Sequence, residues 1–350
     1  MKKVITTIAA TALCVATAFS LTACNTQQPS GGDDQPTKYS VYAPDGAPAL
    51  ALTNLIAGHD TSLAEGYDFD VHVVDANTIL TYVTGENPTA DFCILPVNEA
   101  SLKLGSGETY QMLGTVTNGN LYFLTTGENG PLAKENFATA LIGKKVGVVQ
   151  LARVPGLTLQ ATLADYEIPY QVLASAQEDG AEDKVNLIAF TPDNVTPAGG
   201  CDYYLCPEPA ASTKIKGTSS TAKPFVLAGD LQELYGEGGY PQAVMVAKKS
   251  VIEQHAQAVG EVIEYLTASA AYLADAEPAT LIDLLANKRT EGLAPSFNAN
   301  NLTKEVVAHC SVGFTPSVTC KDTVNAFLTK LIAVNETAAK SVSDAFYYMN

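Results

Sequence analysis

The chain has 350 residues, a mass of 36.7 kDa, 47% hydrophobic residues and a formal net charge of -17. That length accommodates two domains of ordinary size, and that hydrophobic content excludes a disordered chain. The acidic balance argues against a nucleic-acid partner, whose phosphates are held by Lys and Arg.

At the N-terminus, Lys2 and Lys3 precede an apolar, small-residue run from Val4 to Leu21, and Leu21-Thr22-Ala23-Cys24 resembles a bacterial lipobox. A segment of this kind is cleaved and is not part of the fold. Residues 1–23 are therefore expected to be a lipoprotein signal peptide, with Cys24 diacylated as the mature N-terminus. Residues 24–38, rich in Gly, Pro and Gln, read as a flexible tether. No other apolar run reaches the roughly 20 residues of a bilayer span, so the expected membrane attachment is the lipid anchor alone.

The folded part begins with Tyr39–Gly58, YSVYAPDGAPALALTNLIAG. Ser40 to Ala43 is β-prone, and Pro44, Asp45 and Gly46 form a turn. Pro48 suits a first helical turn, where a missing N–H costs nothing. Leu50, Leu52, Leu55 and Ile56 give that helix an apolar face, with Gly58 as its stop. Tyr67 to Val74 alternates as a second strand, and Asp75 to Val83 reads as a short helix capped by Asp75 or Asn77. A strand over Phe92–Leu95 leads through Pro96 into a helix reaching Leu104. Tyr110–Thr117 and Asn120–Thr126 are β-like and separated by Asn118-Gly119, a strong turn signal. Strands follow at Lys144–Gln150, Tyr170–Ala174, Val185–Phe190, Asp202–Cys206 and Phe225–Ala228, with a helix from Pro155. This alternation predicts a mostly parallel sheet. Beyond it the chain is helical. Ser250 and Glu253 match a capping box, and Val259, Val262, Ile263, Leu266, Ala270 and Leu273 keep one face of a long helix. Val324, Phe327, Leu328, Leu331 and Ile332 do the same near the C-terminus, and these helices are expected to brace the first lobe.

The design of the first unit returns. Val146–Tyr166, VGVVQLARVPGLTLQATLADY, sets Pro155, Leu157 and Leu159 over Pro48, Leu50 and Leu52. Asp91–Ser101, DFCILPVNEAS, likewise aligns without gaps to Asp202–Ser212, DYYLCPEPAAS. Two halves therefore each carry strand–turn–helix, a spacer, and strand–turn–helix. This predicts two similar lobes facing each other across a cleft, with crossings at Gly127–Pro131 and Lys223-Pro224. The corresponding ranges are 39–127 for the first part of lobe 1, 128–223 for lobe 2, and 224–350 for the remainder of lobe 1.

Five cysteines lie beyond Cys24. Cys201 and Cys206 bound a strand, which sets them about 16 Å apart at roughly 3.3 Å per residue, too far to bridge. Cys310 and Cys320 flank SVGFTPSVT, where Gly313 and Pro316 allow a reversal, so a disulfide between them is open. No C-x-x-C or Cys/His spacing marks a metal, and no cofactor is expected. The four histidines, His59, His72, His255 and His309, fall outside the duplicated turns. No G-x-S-x-G elbow, P-loop, H-E-x-x-H or dinucleotide fingerprint is present. His309, beside Cys310 and Glu305, follows a helical pattern and reads as structural. No catalytic residue is assigned.

The lipobox, Pro44-Asp45-Gly46-Ala47-Pro48-Ala49, Ile94-Leu95-Pro96-Val97-Asn98, Val154-Pro155-Gly156-Leu157, Cys206-Pro207-Glu208-Pro209-Ala210 and Gly239-Tyr240-Pro241-Gln242-Ala243-Val244 together resemble solute-binding lipoproteins of ABC importers. They are most similar to the nitrate/sulfonate/taurine and thiamine-precursor group. The resemblance spans nearly all of Tyr39–Leu331 and rests on the order of the motifs. It implies an α/β, two-lobed type II periplasmic-binding fold and a small-molecule ligand, either a sulfonate- or nitrate-like anion or a thiamine-precursor pyrimidine. It also implies ABC permease subunits as partners, a monomer, and a place on the outer side of the bacterial cell membrane. Relatives that synthesise the pyrimidine use a cysteine-dense motif this chain lacks, so that activity is not carried over. Ligand sensing or partner binding on the same fold remains the alternative.

Ligands of open α/β sheets sit beyond the carboxyl ends of strands, and helix N-termini at Ala47, Val97, Val154 and Glu208 would offer N–H groups there. The expected ligand contacts are Asp45, Gly46, Ala47, Pro96, Asn98, Asn120, Arg153, Val154, Pro155, Glu208 and Tyr240. Asp45 serves equally as a helix cap, and Glu208 as a first-turn partner of the helix dipole.

Overall fold

The structure, a computed structural model, describes residues 37–61 and 67–350, and residues from Pro36 onward form one compact unit. The expected signal peptide, Cys24 and most of the expected tether lie outside the described residues. Thr37 and Lys38, expected in the tether, instead open the first strand, pairing with Tyr67 and Asp68.

The first part of the chain runs β1 (Thr37–Pro44), α1 (Ala47–Leu50), α2 (Thr53–Thr61), β2 (Tyr67–Val74), β3 (Phe92–Pro96), α3 (Val97–Leu104) and β4 (Tyr110–Thr117). Next come β5 (Leu121–Thr125), α4 (Phe137–Leu141), β6 (Lys145–Val149), α5 (Val154–Asp165), β7 (Tyr170–Leu173), β8 (Val185–Phe190), β9 (Tyr203–Pro207), α6 (Ala210–Thr218) and β10 (Val226–Asp230). The remainder is α7 (Leu231–Tyr235), β11 (Ala243–Lys248), α8 (Lys249–Gln254), α9 (Ala256–Asp275), α10 (Pro278–Ala286), α11 (Lys304–His309), β12 (Val312–Pro316) and α12 (Ser317–Val334).

Two six-stranded sheets result, ordered β12-β4-β11-β3-β1-β2 and β10-β5-β9-β6-β8-β7. The duplication is visible in their pairing. β1 lies parallel between β2 and β3, and β6 lies parallel between β8 and β9. Outside them, β11 runs antiparallel to β3, and β5 antiparallel to β9. Each sheet thus has a parallel half, which a crossover helix requires, and an antiparallel extension. Pro48 and Pro155 occupy the first turns of α1 and α5, where their fixed φ suits the helix. Val41, Ala43, Ile94 and Phe92 pack with α9 side chains Val259, Val262 and Leu266 on one face of the first sheet.

Several expectations are corrected. Asn118-Gly119 does separate two strands as expected, but β4 belongs to the first sheet and β5 to the second. Gly119, at φ 102°, turns the chain from one sheet to the other. Because β5 and β10 both belong to the second sheet, the crossings lie at residues 118–120 and 231–242 rather than at Gly127–Pro131 and Lys223-Pro224. The helix after Pro48 breaks at Ala51-Leu52 and resumes through Gly58 to Thr61. The segment after Asp75 is a 3-10 turn, Ile79–Tyr82, preceded by an Asp75 carboxylate that accepts the Asn77 N–H at 2.7 Å. The Ser250–Glu253 capping box does not form, since α8 starts one residue earlier with no side-chain cap. Of the C-terminal helices, α9 packs on α2 and β12, whereas α12 packs on α3 and β4 of the first lobe and also on α5 of the second.

Cys310 and Cys320 are both free, as are Cys93, Cys201 and Cys206. The segment between the first two is not a reversal but the extended strand β12, which separates them. Burial raises the thiol pKa at all five positions, that of Cys206 to about 12. After unfolding without reductant, all five are expected to alkylate, as read by peptide mass spectrometry. An unmodified Cys310–Cys320 peptide pair would contradict this arrangement.

Candidate ligand-binding site

Between the carboxyl ends of the parallel strands of both sheets lies a cavity of about 940 Å³. Four loops form most of its wall, and each follows a strand of the duplicated units: β1 to α1, β3 to α3, β6 to α5 and β9 to α6. From the first lobe come Asp45, Gly46, Ala47, Pro96 and Asn98, and from the second Arg153, Val154, Pro155 and Glu208, with Asn120 at the first crossing. Ten of the eleven residues singled out from the sequence therefore line one cavity. Tyr240 does not. It is 1% exposed and stacks on Phe327 with centroids 5.7 Å apart, so its place is the core beside the second crossing.

Gly46 adopts φ 110° and ψ -152°, a region closed to residues with a Cβ, and a Cβ built there meets nothing within 4 Å. Gly156 differs, because its Cβ would lie 1.9 Å from the Leu151 carbonyl oxygen. The close approach at Gly156 is made by the protein's own loop.

Asp45 neither caps α1 nor stands free. Its Oδ1 lies 3.3 Å from Arg289 Nη2, and its Oδ2 accepts the Ser296 N–H at 2.6 Å. Both charged side chains are nearly buried, at 6% and 10% exposure. The pair ties the β1 turn to the loop after α10, whose Pro295, Ser296 and Asn301 close one side of the cavity.

Glu208 is also engaged. The helix begins at Ala210, two residues later than expected, and the carboxylate of Glu208 accepts from Ser212 N at 3.1 Å and Ser212 Oγ at 2.6 Å. This satisfies a first-turn N–H. Its Oε1 also lies 3.0 Å from His309 Nδ1, and His309 stacks on Tyr122 with centroids 4.6 Å apart. An ionised carboxylate only accepts, so Nδ1 carries the proton. His309 ends α11 in the first lobe, and Glu208 and Tyr122 belong to the second. The histidine read as structural thus joins the lobes beside the cavity.

Further contacts cross between the lobes. Arg153 donates to Asn77 Oδ1 at 3.1 Å and lies 4.0 Å from Glu99 Oε1. Lys216 Nζ donates to Asn300 O at 2.7 Å. Burial raises the Glu99 pKa, and Arg153 and Lys103 oppose that rise. In the cavity wall, Gln242 of the second crossing donates to Asn120 Oδ1 of the first at 2.8 Å. Gln242 was legible only as part of the Gly239–Val244 motif. Nothing in the local sequence marked Arg289, Ser296, Asn301 or the Asn335–Ala338 segment that also lines the cavity.

Among the described residues, no cluster of His, Cys, Asp or Glu is arranged to hold a metal, and no helix is long and apolar enough to cross a membrane.

No protein family's sequence model matches the chain, nor does any curated protein sequence. Solved structures do match. An ABC transporter protein from Parabacteroides distasonis is 18% identical with a TM-score of 0.66, covering 89% of this chain and 99% of that one. The periplasmic aliphatic sulphonate binding protein of Escherichia coli is 12% identical with a TM-score of 0.57, covering 88% and 90%. The ligand-binding component of an ABC-type import system from Staphylococcus aureus, solved with zinc bound, is 9% identical with a TM-score of 0.56, covering 90% and 97%. The chain has their architecture, the two-lobed type II periplasmic-binding fold.

Proposed function

We propose that this chain is the solute-binding protein of an ABC importer, held on the outer side of the cell membrane by a lipid on Cys24. In this reading it captures a small molecule between its lobes and presents the closed form to permease subunits, without catalysing a reaction. The observation that carries it is the cavity itself. The duplicated turns of both sheets converge there, as ligand-binding loops do at the carboxyl ends of parallel strands.

Closure requires a ligand that stabilises the closed form over the open one, hence one that touches both lobes. The cavity wall meets that condition. For ligand class, the N-termini of α3 and α5, with Arg153 and Lys214, support an anionic or accepting head group. Among the described residues no aromatic ring lines the cavity, which speaks against a stacked pyrimidine.

Native mass spectrometry of gently purified protein is expected to show one small molecule per chain, released on denaturation. Turnover of a metabolite mixture would contradict the binding role. For the anchor, Cys24→Ala is expected to move the protein from the membrane fraction to the soluble one. Retention equal to wild type would remove the lipid from the account.

A further inference from the structure

The first crossing between the lobes, residues 118–120, is spanned from outside by a corner of the C-terminal region. This corner runs from His309, the last residue of α11, to Val312, the first of β12. On one side it is fixed to the chain just before the crossing. Ser311 O accepts the Asn118 N–H at 3.0 Å, and Val312 pairs with Thr117 in the β12–β4 ladder. On the other side it is fixed to the second lobe. The Tyr122 hydroxyl donates to His309 O at 3.1 Å, and His309 Nδ1 lies 3.0 Å from Glu208 Oε1. Glu208 itself stands beside the crossing, because its N–H donates to Asn120 O at 2.9 Å.

The corner keeps its shape against local preference. Ser311 has φ 46°, a left-handed value that a residue with a Cβ holds only where its surroundings dictate it. None of residues 309–312 lines the cavity, so solute contact does not explain the corner. Gly119 lies between the two sets of contacts, and a rotation of the lobes about it pulls one set against the other.

One bond of the corner stands out in strength. The Glu208 carboxylate is 1% exposed and the His309 ring 27%, and a hydrogen bond to a charged group in such a place exceeds a neutral one. The other contacts between the lobes are more open to water: Lys216 is exposed, and Arg153 is 51% exposed with Glu99 4.0 Å away. Removing the imidazole would not strand the carboxylate, which also accepts from Ser212 N and Oγ.

Resting on the solute-binding reading above, we propose that His309 is a positioning residue that braces the first crossing at its closed angle. The Glu208–His309 bond then supplies part of the closed form's stability that the solute does not. Solute affinity therefore depends on a residue outside the cavity.

The test reads the distance between spin labels, carried on residues other than cysteine, at Ser220 of the second lobe and Thr280 of the first, both exposed. His309→Phe keeps a ring against Tyr122 and removes the donor, whereas His309→Asn sets an amide N–H where Nδ1 stood. In His309→Phe the ratio of open to closed protein is expected to rise at least about tenfold, both as purified and after stripping of solute. In His309→Asn, and in Lys216→Met, it is expected to stay within about threefold of wild type. The stripped variants are expected to melt like wild type, because the brace acts in the closed form. An unchanged ratio in His309→Phe overturns the proposal, as does His309→Asn opening as far as His309→Phe. So does early melting of stripped His309→Phe, the mark of a purely structural histidine, or one fixed distance in every preparation. Failure of the solute-binding reading is separate: native mass spectrometry would then find no retained solute, and the ratio, which needs no ligand, would still decide on the brace.

Discussion

Asp45→Ala is expected to destabilise the folded protein by about 3–5 kcal/mol, the cost of breaking a buried ion pair from one side. The reason is what remains. Arg289 has 10% exposure and its Nε makes no hydrogen bond, so removing the carboxylate 3.3 Å from its Nη2 strands a buried cation. The Ser296 N–H loses its acceptor in the same step. A helix cap would cost about 1 kcal/mol when removed, so chemical denaturation separates the two roles decisively. Asp45→Ala combined with Arg289→Met is expected to recover much of the loss, because replacing both members of a buried pair by apolar groups is often nearly neutral. If the single variant unfolds at wild-type denaturant concentration, the Asp45–Arg289 pair does not hold the β1 turn to the loop after α10. Solute affinity should fall with stability, since that loop closes one side of the cavity.

Gly156→Val is expected to cost at least about 3 kcal/mol, the upper end of the overpacking range. The obstacle at 1.9 Å is the Leu151 carbonyl oxygen, with Leu151 C and Cα at 2.4 Å. Backbone atoms do not move aside by changing rotamer, so the turn between β6 and α5 must shift as a whole. This turn carries Arg153 and Val154 into the cavity, so binding should be lost together with the fold. Gly46→Val provides the contrast. There a Cβ meets nothing, and the cost comes from φ 110° alone, about 1–3 kcal/mol for a strained backbone position. A Gly156→Val protein that melts like wild type would overturn the packing described for α5.

These two positions also show what was legible in the sequence. The duplicated turns were readable because strand, turn, proline and helix start are local signals, written within a dozen residues. Their convergence on one cavity follows from sheet topology. What each turn residue does was not local. Asp45 reads as a cap until Arg289, some 240 positions later, packs against it. His309 reads as an ordinary helix residue until Glu208 reaches it from the other lobe. Gly156 reads only as part of the Val154–Leu157 motif until the preceding loop is seen to fill the space a Cβ would need. Asn118-Gly119 was legible as a turn, but a hairpin and a crossing between sheets can use the same turn chemistry, and only the long-range pairing of β4 and β5 shows which one it is.

In the proposed function a solute is held between two lobes that close on it. Small-angle scattering tests it most directly, with the protein purified with its retained solute, then stripped by unfolding and refolding, then resupplied with the recovered solute. The stripped protein is expected to have a larger radius of gyration and to return to the compact value on resupply, as Arg153–Asn77, Lys216–Asn300 and Glu208–His309 re-form across the lobes. An unchanged radius alongside demonstrated rebinding would contradict it.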